Sequence, residues 1–328
     1  MTLVKTCGKL YWAGEYAILE PGQLALIKAI PIYMTAEITA SDGYRLYSDM
    51  FTYSVDLRPD SSYVLIQETV ALVEEYLTAQ GVELQPFSLD IRGKMEREGK
   101  KFGLGSSGSV VVLVIKAMLA FYGRPVDREF LFKLASAVLL KRGDNGSMGD
   151  IACIVSEDLV LYQSFDREKV AHWLEKEDLQ PVLDRDWGFS IESVEPGLEF
   201  DFLVGWTKEV AVSSHMVKQI KNHMDASFLQ ASKETVANLV KALQTGHEEK
   251  VIEQLEQASL LLEDLSSDIY TPSLRQLKNT SRDLKAVAKS SGAGGGDCGI
   301  ALSFDQDSTT LLKKRWADLG IELLYQER

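Results

Sequence analysis

The spacing of hydrophobic residues predicts a chain in which strands and helices are mixed in both halves. Short runs of partly alternating apolar and polar residues, bounded by glycine, predict strands, including a β-hairpin that turns at Asp42-Gly43. Apolar residues three and four apart predict amphipathic helices. Residues 3–19 are predicted to form a strand and a turn. The other predicted strands lie in 31–39 paired with 44–47, 87–91, 151–155, 159–162, 200–206, 300–304 and 321–325, and predicted helices cover 61–80, 127–140 and 309–319.

Further helices are predicted in the C-terminal half. Val236, Leu239, Val240 and Leu243 fall at i, i+3, i+4 and i+7, and apolar residues up to Leu284 continue this spacing. Such stripes are typical of helix faces that pack against a core.

Segment 110–121 is apolar almost throughout. Its β-branched first residues would suit a strand, but the run is too long for one and favours a mostly buried helix. Residues 166–186 are charged and irregular, so we expect a domain boundary near them or slightly later. We therefore divide the chain into an N-terminal domain, 1–190, and a C-terminal domain, 191–328.

Composition narrows the class of protein. The 35 basic and 48 acidic side chains give a formal net charge of -13. This charge argues against nucleic acid or an anionic membrane as the main partner, because both need a basic surface. Any phosphate site must therefore concentrate its cations in a cleft.

The cysteines and histidines indicate neither disulfides nor zinc. The three cysteines have no paired spacing, and His172, His215, His223 and His247 lack metal-ligand spacing, so we interpret the histidines as structural or exposed. The sequence begins without a signal-like apolar run, and no apolar segment approaches the length of a membrane span. We expect a cytoplasmic location.

The glycine loop at 103–109, GLGSSGS, is the strongest candidate for a binding site. A glycine loop that leads into a helix presents unpaired N–H groups and the positive end of the helix dipole, which together favour phosphate. The loop lacks the lysine of a Walker P-loop and the glycine spacing of a dinucleotide fingerprint. Taken alone, it could also be a capped helix start.

A second glycine loop spans 290–299, SSGAGGGDCG. By itself such a sequence is often a flexible linker. Here we predict that it lies between a helix and a strand of a compact region, so close approach of its backbone to a ligand is the better interpretation. Taken alone, Lys9 could be a surface lysine and Asp150 a turn carboxylate. However, four segments along the chain combine glycine with a hydroxyl or a charge, which packing does not readily explain.

Together these four segments resemble the GHMP kinases. Residues 8–15 are similar to the family's first motif, 103–109 to its phosphate-loop motif, 147–150 to the segment with the catalytic aspartate, and 292–299 to its third motif. The stretches KFGLGSSGS, GDNGSMGDIA and SGAGGGDCGIAL carry the likeness, which covers almost the whole chain. It is strongest to the members that phosphorylate phosphomevalonate.

The resemblance implies an α+β fold with the two-domain GHMP kinase architecture. The N-terminal domain would be β-rich with a left-handed βαβ crossover, the C-terminal domain ferredoxin-like, and the active site would lie between them. The implied activity is ATP-dependent phosphorylation of phosphomevalonate to diphosphomevalonate, in the mevalonate route to isoprenoids. ATP and Mg²⁺ would be the cofactors, and the small-molecule substrates ATP and phosphomevalonate the partners, with the oligomeric state left open.

The resemblance also implies roles for individual residues. Lys9 and Asp150 would face the transferred phosphoryl group, and Ser107 would contact Mg²⁺. The ATP phosphates would be wrapped by Gly103, Leu104, Gly105, Ser106, Ser107, Gly108 and Ser109. The substrates would contact Lys9, Lys101, Ser147, Asp150, Ser291, Gly292 and Gly294.

A phosphate acceptor makes basic residues further candidates for the site. A phosphate monoester, with a second pKa of about 6, is mostly ionised at neutral pH and needs a base less than an alcohol does. Cations that bring two anions together matter more. Lys9 and Lys101 are the first candidates for catalysis, followed by Lys100, Lys141 and Arg142.

Three positions depart from the family pattern. The catalytic segment reads Ser-Met-Gly-Asp at 147–150 where the family usually has Ser-Gly-x-Asp, and Cys7 replaces a proline. Leu139 stands where mevalonate kinases carry a magnesium-binding glutamate, so Asp150 would serve to position charge more than to abstract a proton.

Two other functions remain open on the sequence alone. One is a GHMP kinase that acts on an alcohol such as mevalonate, against which Leu139 and the lysines beside the loop argue. The other is a nucleotide-binding regulator without catalysis, against which the presence of both Lys9 and Asp150 argues.

Overall fold

A long antiparallel pair of strands organises the N-terminal half. The computed structural model describes residues 2–211, 216, 220 and 223–328, so the interpretation of His215 lies outside the described residues. Thr2–Ala13 (β1) pairs with Leu24–Ala40 (β2) along nearly its whole length. Two further strands pair with opposite ends of β2, Phe87–Arg92 (β5) near its C-terminus and Leu159–Gln163 (β8) near its N-terminus.

The other strands of this sheet extend it on both sides. Arg45–Ser48 (β3) and Ser54–Val55 (β4) lie beyond β5, and Ser190–Ser193 (β9) lies beyond β8. Within the described residues the order is β4-β3-β5-β2-β8-β9, with β1 paired to β2.

The predicted hairpin between 31–39 and 44–47 is wrong in its pairing. Both strands exist, but β3 pairs in parallel with β5, which lies between β3 and β2. The side chains of Phe87, Leu89 and Ile91 are fully buried. A strand with such an apolar face is more stable inside the sheet than at its edge, and the local Asp-Gly turn could not reveal this long-range insertion.

Helices cover the sheet. The helix predicted over 110–121 is confirmed, because Ser106–Phe121 (α2) is helical and its segment from Val111 to Leu119 is buried on almost every side. α2 packs on β1 and β2 and between neighbouring helices, as expected for a helix that is apolar all round. The neighbouring helices are Val64–Ala79 (α1), Arg128–Lys141 (α3) and Gly149–Ser156 (α4).

The strand predicted at 151–155 is wrong, because these residues form most of α4. The periodicity of a short, fully buried apolar run does not distinguish a strand from a helix. The end of α4 is set by Glu157, which takes a left-handed conformation (φ 56°).

The stretch expected to be irregular, 166–186, contains two helices, Arg167–Lys176 (α5) and Leu179–Asp184 (α6). The Asp166 side chain caps α5 by accepting a hydrogen bond from the Lys169 N–H (2.9 Å). Val170 and Leu174, one helical turn apart, are the buried contacts of α5. Because only two buried positions lie among many charged residues, the apolar periodicity of this segment is too weak to predict α5.

The C-terminal half is a four-stranded antiparallel sheet with helices. Its order among the described residues is β11-β12-β10-β13. With the chain sequence strand, helices, two strands, helix, strand, this order is the ferredoxin-like arrangement, and the predicted α+β class is confirmed. The strands are Asp201–Trp206 (β10), Ala286–Ser290 (β11), Cys298–Ser303 (β12) and Glu322–Glu327 (β13), and the helices are Ala226–Gln244 (α7), Glu248–Leu265 (α8), Pro272–Asn279 (α9) and Gln306–Asp318 (α10).

The second glycine loop lies between two strands, β11 and β12, and not between a helix and a strand as predicted. The helical pattern that continued to Leu284 in sequence stops at Asn279, the last residue of α9. Thr280 follows α9, and its hydroxyl donates to the Leu277 carbonyl (2.6 Å), which satisfies an acceptor at the helix end.

Just before the first glycine loop, Glu96–Arg97 (β6) and Lys100–Lys101 (β7) form a small antiparallel pair. The division of the chain at 190 and 191 stays a prediction, and β9 lies across it. None of the helices in the described ranges has the length and apolar character needed to cross a membrane.

Gly205 gives a test of packing in the C-terminal core. A Cβ there would lie 2.9 Å from Trp316 Cζ3 and 3.0 Å from Ile321 Cγ2, both in buried side chains. We expect Gly205→Ala to lower the free energy of unfolding by about 1–3 kcal/mol, because overpacking forces neighbours out of place. Gly43→Ala is the control, since its Cβ would meet no atom within 4 Å. Urea unfolding of both variants measures the effect, and equal stabilities would contradict the packing argument.

Candidate active site

The first glycine loop begins α2 at the wall of a cleft of about 600 Å³. Gly105 occupies the N-cap position of α2 in a left-handed conformation (φ 80°), which glycine adopts at little cost. A Cβ at Gly105 would lie 2.7 Å from Lys9 Cε, so the glycine also makes room for the lysine. The positive end of the α2 dipole and a lysine side chain therefore lie together at the cleft.

Two other glycines of this loop make room for acidic side chains, as Gly105 does for Lys9. A Cβ at Gly103 (φ 78°) would lie 2.6 Å from Asp297 Oδ2, and one at Gly108 would lie 2.7 Å from Asp150 Oδ2. Each glycine lets a side chain from a distant part of the sequence approach the loop backbone. The spacing of the three glycines is thus set by three charged side chains as much as by the turn.

Lys9 lies on β1 and is 8% exposed. Its backbone N–H donates to the Leu104 carbonyl (3.0 Å), which joins β1 to the first glycine loop. Its ammonium lies 5.2 Å from the centre of the Tyr11 ring, a cation–π distance. The bond to Leu104 fixes the backbone of Lys9 beside the loop, and the Tyr11 ring lies against its ammonium.

Asp150 lies in the first turn of α4 and accepts a hydrogen bond from the Ile151 N–H (2.9 Å). Burial raises the pKa of this carboxyl above its ordinary value, while the positive charge of Lys9 acts in the opposite direction. The charge of Lys9 therefore favours the ionised form of Asp150.

Ser147 is fixed by three hydrogen bonds. Its hydroxyl bonds to the Tyr11 hydroxyl (3.0 Å) and accepts from the Gly149 N–H (3.2 Å), and its carbonyl accepts from Tyr162 (3.0 Å). Met148, at the position where the family pattern has glycine, adopts a left-handed conformation (φ 64°). The departure from Ser-Gly-x-Asp thus keeps the backbone shape that glycine would give, at some cost in strain.

The second glycine loop forms the opposite wall. Gly292 (φ 82°) lines the cleft, whereas the Ser291 hydroxyl donates to the Tyr11 carbonyl (2.8 Å) behind it. A Cβ at Gly294 (φ 70°) would lie 2.4 Å from the Ile269 carbonyl oxygen, so this glycine allows the loop to pack on the segment before α9. Ser291 and Gly294 therefore shape the wall from outside the cleft.

The structure brings most of the predicted site residues to this one cleft. Those that line it are Lys9, Lys101, Gly103, Gly105, Ser106, Ser107, Ser147, Asp150 and Gly292. The predicted residues outside its lining are Leu104, Gly108, Ser109, Ser291 and Gly294. Leu104 is a core residue, and the buried Ser109 hydroxyl donates to the Cys7 carbonyl (2.9 Å).

Two of the secondary cation candidates lie elsewhere. Lys141 pairs with Glu75 (3.5 Å) and Arg142 with Glu68 (2.5 Å), both on α1. Neither lines the cleft, and Lys100 is also absent from its lining although Lys101 is present. Alternation along β7 accounts for the difference between the two neighbouring lysines.

Sequence reasoning missed several residues of the cleft. Asp297, Glu15 and Tyr16 line it, as do Asp144 and Asn145. Asp297 and Glu15 lay within motifs that the sequence had already singled out, but an acidic residue is not an obvious component of a phosphate site. Their position beside cations could be found only from the fold.

Asp297 has an unusual environment. Its Oδ1 accepts from the Ala211 N–H (3.2 Å). Burial raises the pKa of Asp297 to about 6, although the Ala211 N–H and the charges of Lys9 and Lys101 act in the opposite direction. The carboxyl would be largely ionised at neutral pH and protonated in mild acid.

The fold is of the α+β class, and its cleft brings cations, a carboxylate and a helix N-terminus to one site, a combination that suits phosphate ligands. Comparison with known protein families gives the class: residues 64–157 match the family of GHMP kinases N terminal domains, and residues 239–322 match the family of GHMP kinases C terminal domains. The chain belongs to the GHMP kinases, and the predicted family is confirmed.

Individual relatives add detail. A solved structure of Streptococcus pneumoniae phosphomevalonate kinase, in complex with phosphomevalonate and AMPPNP, is 74% identical over 100% of both chains, with a TM-score of 0.99. Phosphomevalonate kinase of Streptomyces sp. (strain CL190) is 28% identical, over 96% of this chain and 93% of that protein. Methanococcus jannaschii mevalonate kinase, 19% identical with a TM-score of 0.72 and covering 99% of this chain and 98% of the other, shares the fold.

Asp297→Asn tests the environment of this carboxyl. Because the pKa of Asp297 is raised in the folded protein, protonation favours folding, and the stability that it contributes at low pH is lost as the pH rises to about 6. Asparagine keeps the acceptor for Ala211 and tolerates the positive φ of 56°. The free energy of unfolding of the variant, relative to the parent, should therefore increase between about pH 4.5 and about pH 8.

Urea unfolding at these pH values measures the difference. Asp42→Asn, which makes the same substitution in an exposed turn, serves as the control. A pH-independent difference for Asp297→Asn would contradict the raised pKa.

Proposed function

We propose that this chain transfers the γ-phosphoryl group of ATP to the phosphate group of phosphomevalonate, which gives ADP and diphosphomevalonate. The observation that carries this proposal is the relative from Streptococcus pneumoniae, 74% identical over its whole length, whose structure contains phosphomevalonate and AMPPNP. The cleft of this chain offers an α2 N-terminus and two lysines to such a pair of anionic ligands.

The ATP phosphates are expected to lie at the start of α2. The N–H groups of its first turn have no partner within the helix and favour an anion. Ser106 and Ser107 stand there, and Gly103 and Gly105 let the backbone approach the phosphates. This first glycine loop therefore supports the nucleotide half of the reaction.

The acceptor needs attraction more than deprotonation. Its phosphate, with a second pKa of about 6, already carries the charged oxygen that attacks the γ-phosphorus. A new bond forms between that oxygen and the γ-phosphorus, the bond to the β,γ-bridging oxygen breaks, and ADP leaves with the electron pair. Lys9 and Lys101 offset the repulsion between the two phosphates and the charge on the leaving oxygen.

Asp150 acts through its negative charge on the Lys9 ammonium. Its carboxylate charge supports Lys9 across the cleft, and Ser147 beside it is held by Tyr11. This arrangement keeps the ammonium in place before the substrates arrive, so little reorganisation is needed during the reaction. A role in proton abstraction is not required for a phosphate acceptor.

The residues present fit a magnesium ion. Mg²⁺ prefers oxygen ligands and often uses one or two protein groups with substrate phosphates and water. Ser107 and Asp150, on the cleft wall, would hold it, whereas Leu139 is buried in α3 and offers no ligand. Among the described residues no group of three or more His, Cys, Asp or Glu side chains could hold a metal. When bound, the ion would neutralise phosphate charge.

We also propose a cytoplasmic location. Cys7, Cys153 and Cys298 are all buried free thiols, which fits a reducing compartment.

A panel of acceptors tests the activity. ADP release is measured with ATP, Mg²⁺ and either phosphomevalonate, mevalonate, homoserine or galactose. Of the four acceptors, only phosphomevalonate should give rapid release of ADP. Faster release with mevalonate would identify an alcohol kinase, and no acceptor-dependent release would identify a regulator.

Lys9→Met tests the central cation. We expect kcat to fall by about 10²–10³-fold, because a preorganised charge at the reacting phosphates is lost, while ATP still binds at α2. Turnover with phosphomevalonate and calorimetric binding of an ATP analogue measure the two effects. Lys141→Met, whose ammonium pairs with Glu75 outside the cleft, is the control and should keep the parent rate. Near-normal turnover of Lys9→Met would remove Lys9 from the mechanism.

Asp150→Asn tests the carboxylate charge. Asparagine has nearly the same shape but no charge, so the support for Lys9 is lost, and we expect kcat to fall by about tenfold or more. The same turnover assay measures it. A rate within a few-fold of the parent would mean that the charge is dispensable.

A further inference from the structure

A buried ion pair joins the first motif to the strand before the second glycine loop. Lys289 Nζ, on β11, lies 2.5 Å from Glu15 Oε1, and their side chains are only 1% and 3% exposed. The lysine also donates to the carbonyl of Ser290 (2.6 Å). Removing either partner of such a pair leaves an uncompensated charge away from water, so the charges of Lys289 and Glu15 are strongly interdependent.

The two members of the pair differ in their relation to the cleft. Glu15 is part of the cleft wall, whereas Lys289 is not. A residue of the cleft lining therefore carries a buried negative charge, and the cation that neutralises it lies outside the lining.

Neutral hydrogen bonds already connect the same two segments. The Ser291 hydroxyl donates to the Tyr11 carbonyl (2.8 Å), and the Tyr16 hydroxyl donates to the Ala293 carbonyl. These bonds hold the second glycine loop against the end of β1 without any charge. The distinct contribution of Lys289 is therefore its charge, and not the attachment of the loop.

We propose that Lys289 is a positioning residue that acts through Glu15: it cancels the charge of this carboxylate, so that the phosphorylated acceptor can bind beside ATP. Without the ammonium, the carboxylate would repel the acceptor phosphate across a cleft of low dielectric constant. The proposal rests on the proposed function, which places the ATP phosphates at the start of α2 and a second anion, the acceptor phosphate, in the same cleft.

Kinetics of Lys289→Met and of the double variant Glu15→Gln/Lys289→Met test the proposal. For Lys289→Met we expect the KM for phosphomevalonate to rise at least tenfold, while the KM for ATP changes less than threefold. In the double variant, where no charge remains, the KM for phosphomevalonate should return to within threefold of the parent. Lys278→Met, which breaks the pair with Glu263 in the same half of the chain, is the matched control and should leave both KM values unchanged.

Different results would overturn the proposal. A folded Lys289→Met with the parent KM for phosphomevalonate, or a double variant with a KM raised tenfold, would mean that Lys289 has only a structural role. If Lys289→Met does not fold, the double variant alone decides, because a neutral pair of similar size in place of a buried ion pair is often tolerated. The parent is assayed first, and absence of ADP release with phosphomevalonate would refute the proposed function. If the parent is active, the KM values of the two variants decide the inference about Lys289 separately.

Discussion

The close approach of charged side chains to the backbone at the start of α2 is the constraint on which the site depends. Three glycines of the first glycine loop each lie against one charged side chain, and these side chains come from β1, from α4 and from the second glycine loop. Any side chain at these glycines would occupy the space of a charge. The loop is therefore the common contact of all four motifs, and it places cations and carboxylates around a helix N-terminus where phosphates are favoured.

The location of the site could be predicted from the sequence because its components are local. Glycine and serine before a long apolar run favour a helix start at which phosphate can bind. Lys9, Lys101, Ser147 and Asp150 were singled out by their motifs, and the fold brings all four to the cleft. Their catalytic roles stay a prediction until the variants are measured.

What the sequence could not predict was long-range pairing of charges. Lys141 and Arg142 look like equally good candidates in sequence, but glutamates of α1 neutralise them outside the cleft. Lys289 and Glu15 form the opposite case, a buried pair with one partner on the cleft wall, whose residues are separated by 274 positions. The errors in secondary structure also arose because the sequence pattern is local. The tertiary environment of 151–155 and the position of β5 between β2 and β3 depend on contacts between distant residues.

The connection between the end of β1 and the second glycine loop has a consequence for how the enzyme is made. Its three contacts join residues 274, 277 and 280 positions apart, so the cleft cannot be complete until nearly nine tenths of the chain has left the ribosome. Contacts of such high sequence separation form late, after a large loss of chain entropy. A nascent chain that ends before β11 would hold the first glycine loop and Lys9 but leave Glu15 without its cation. Catalytic competence is thus acquired in the last stage of synthesis, and a truncated product would lack it.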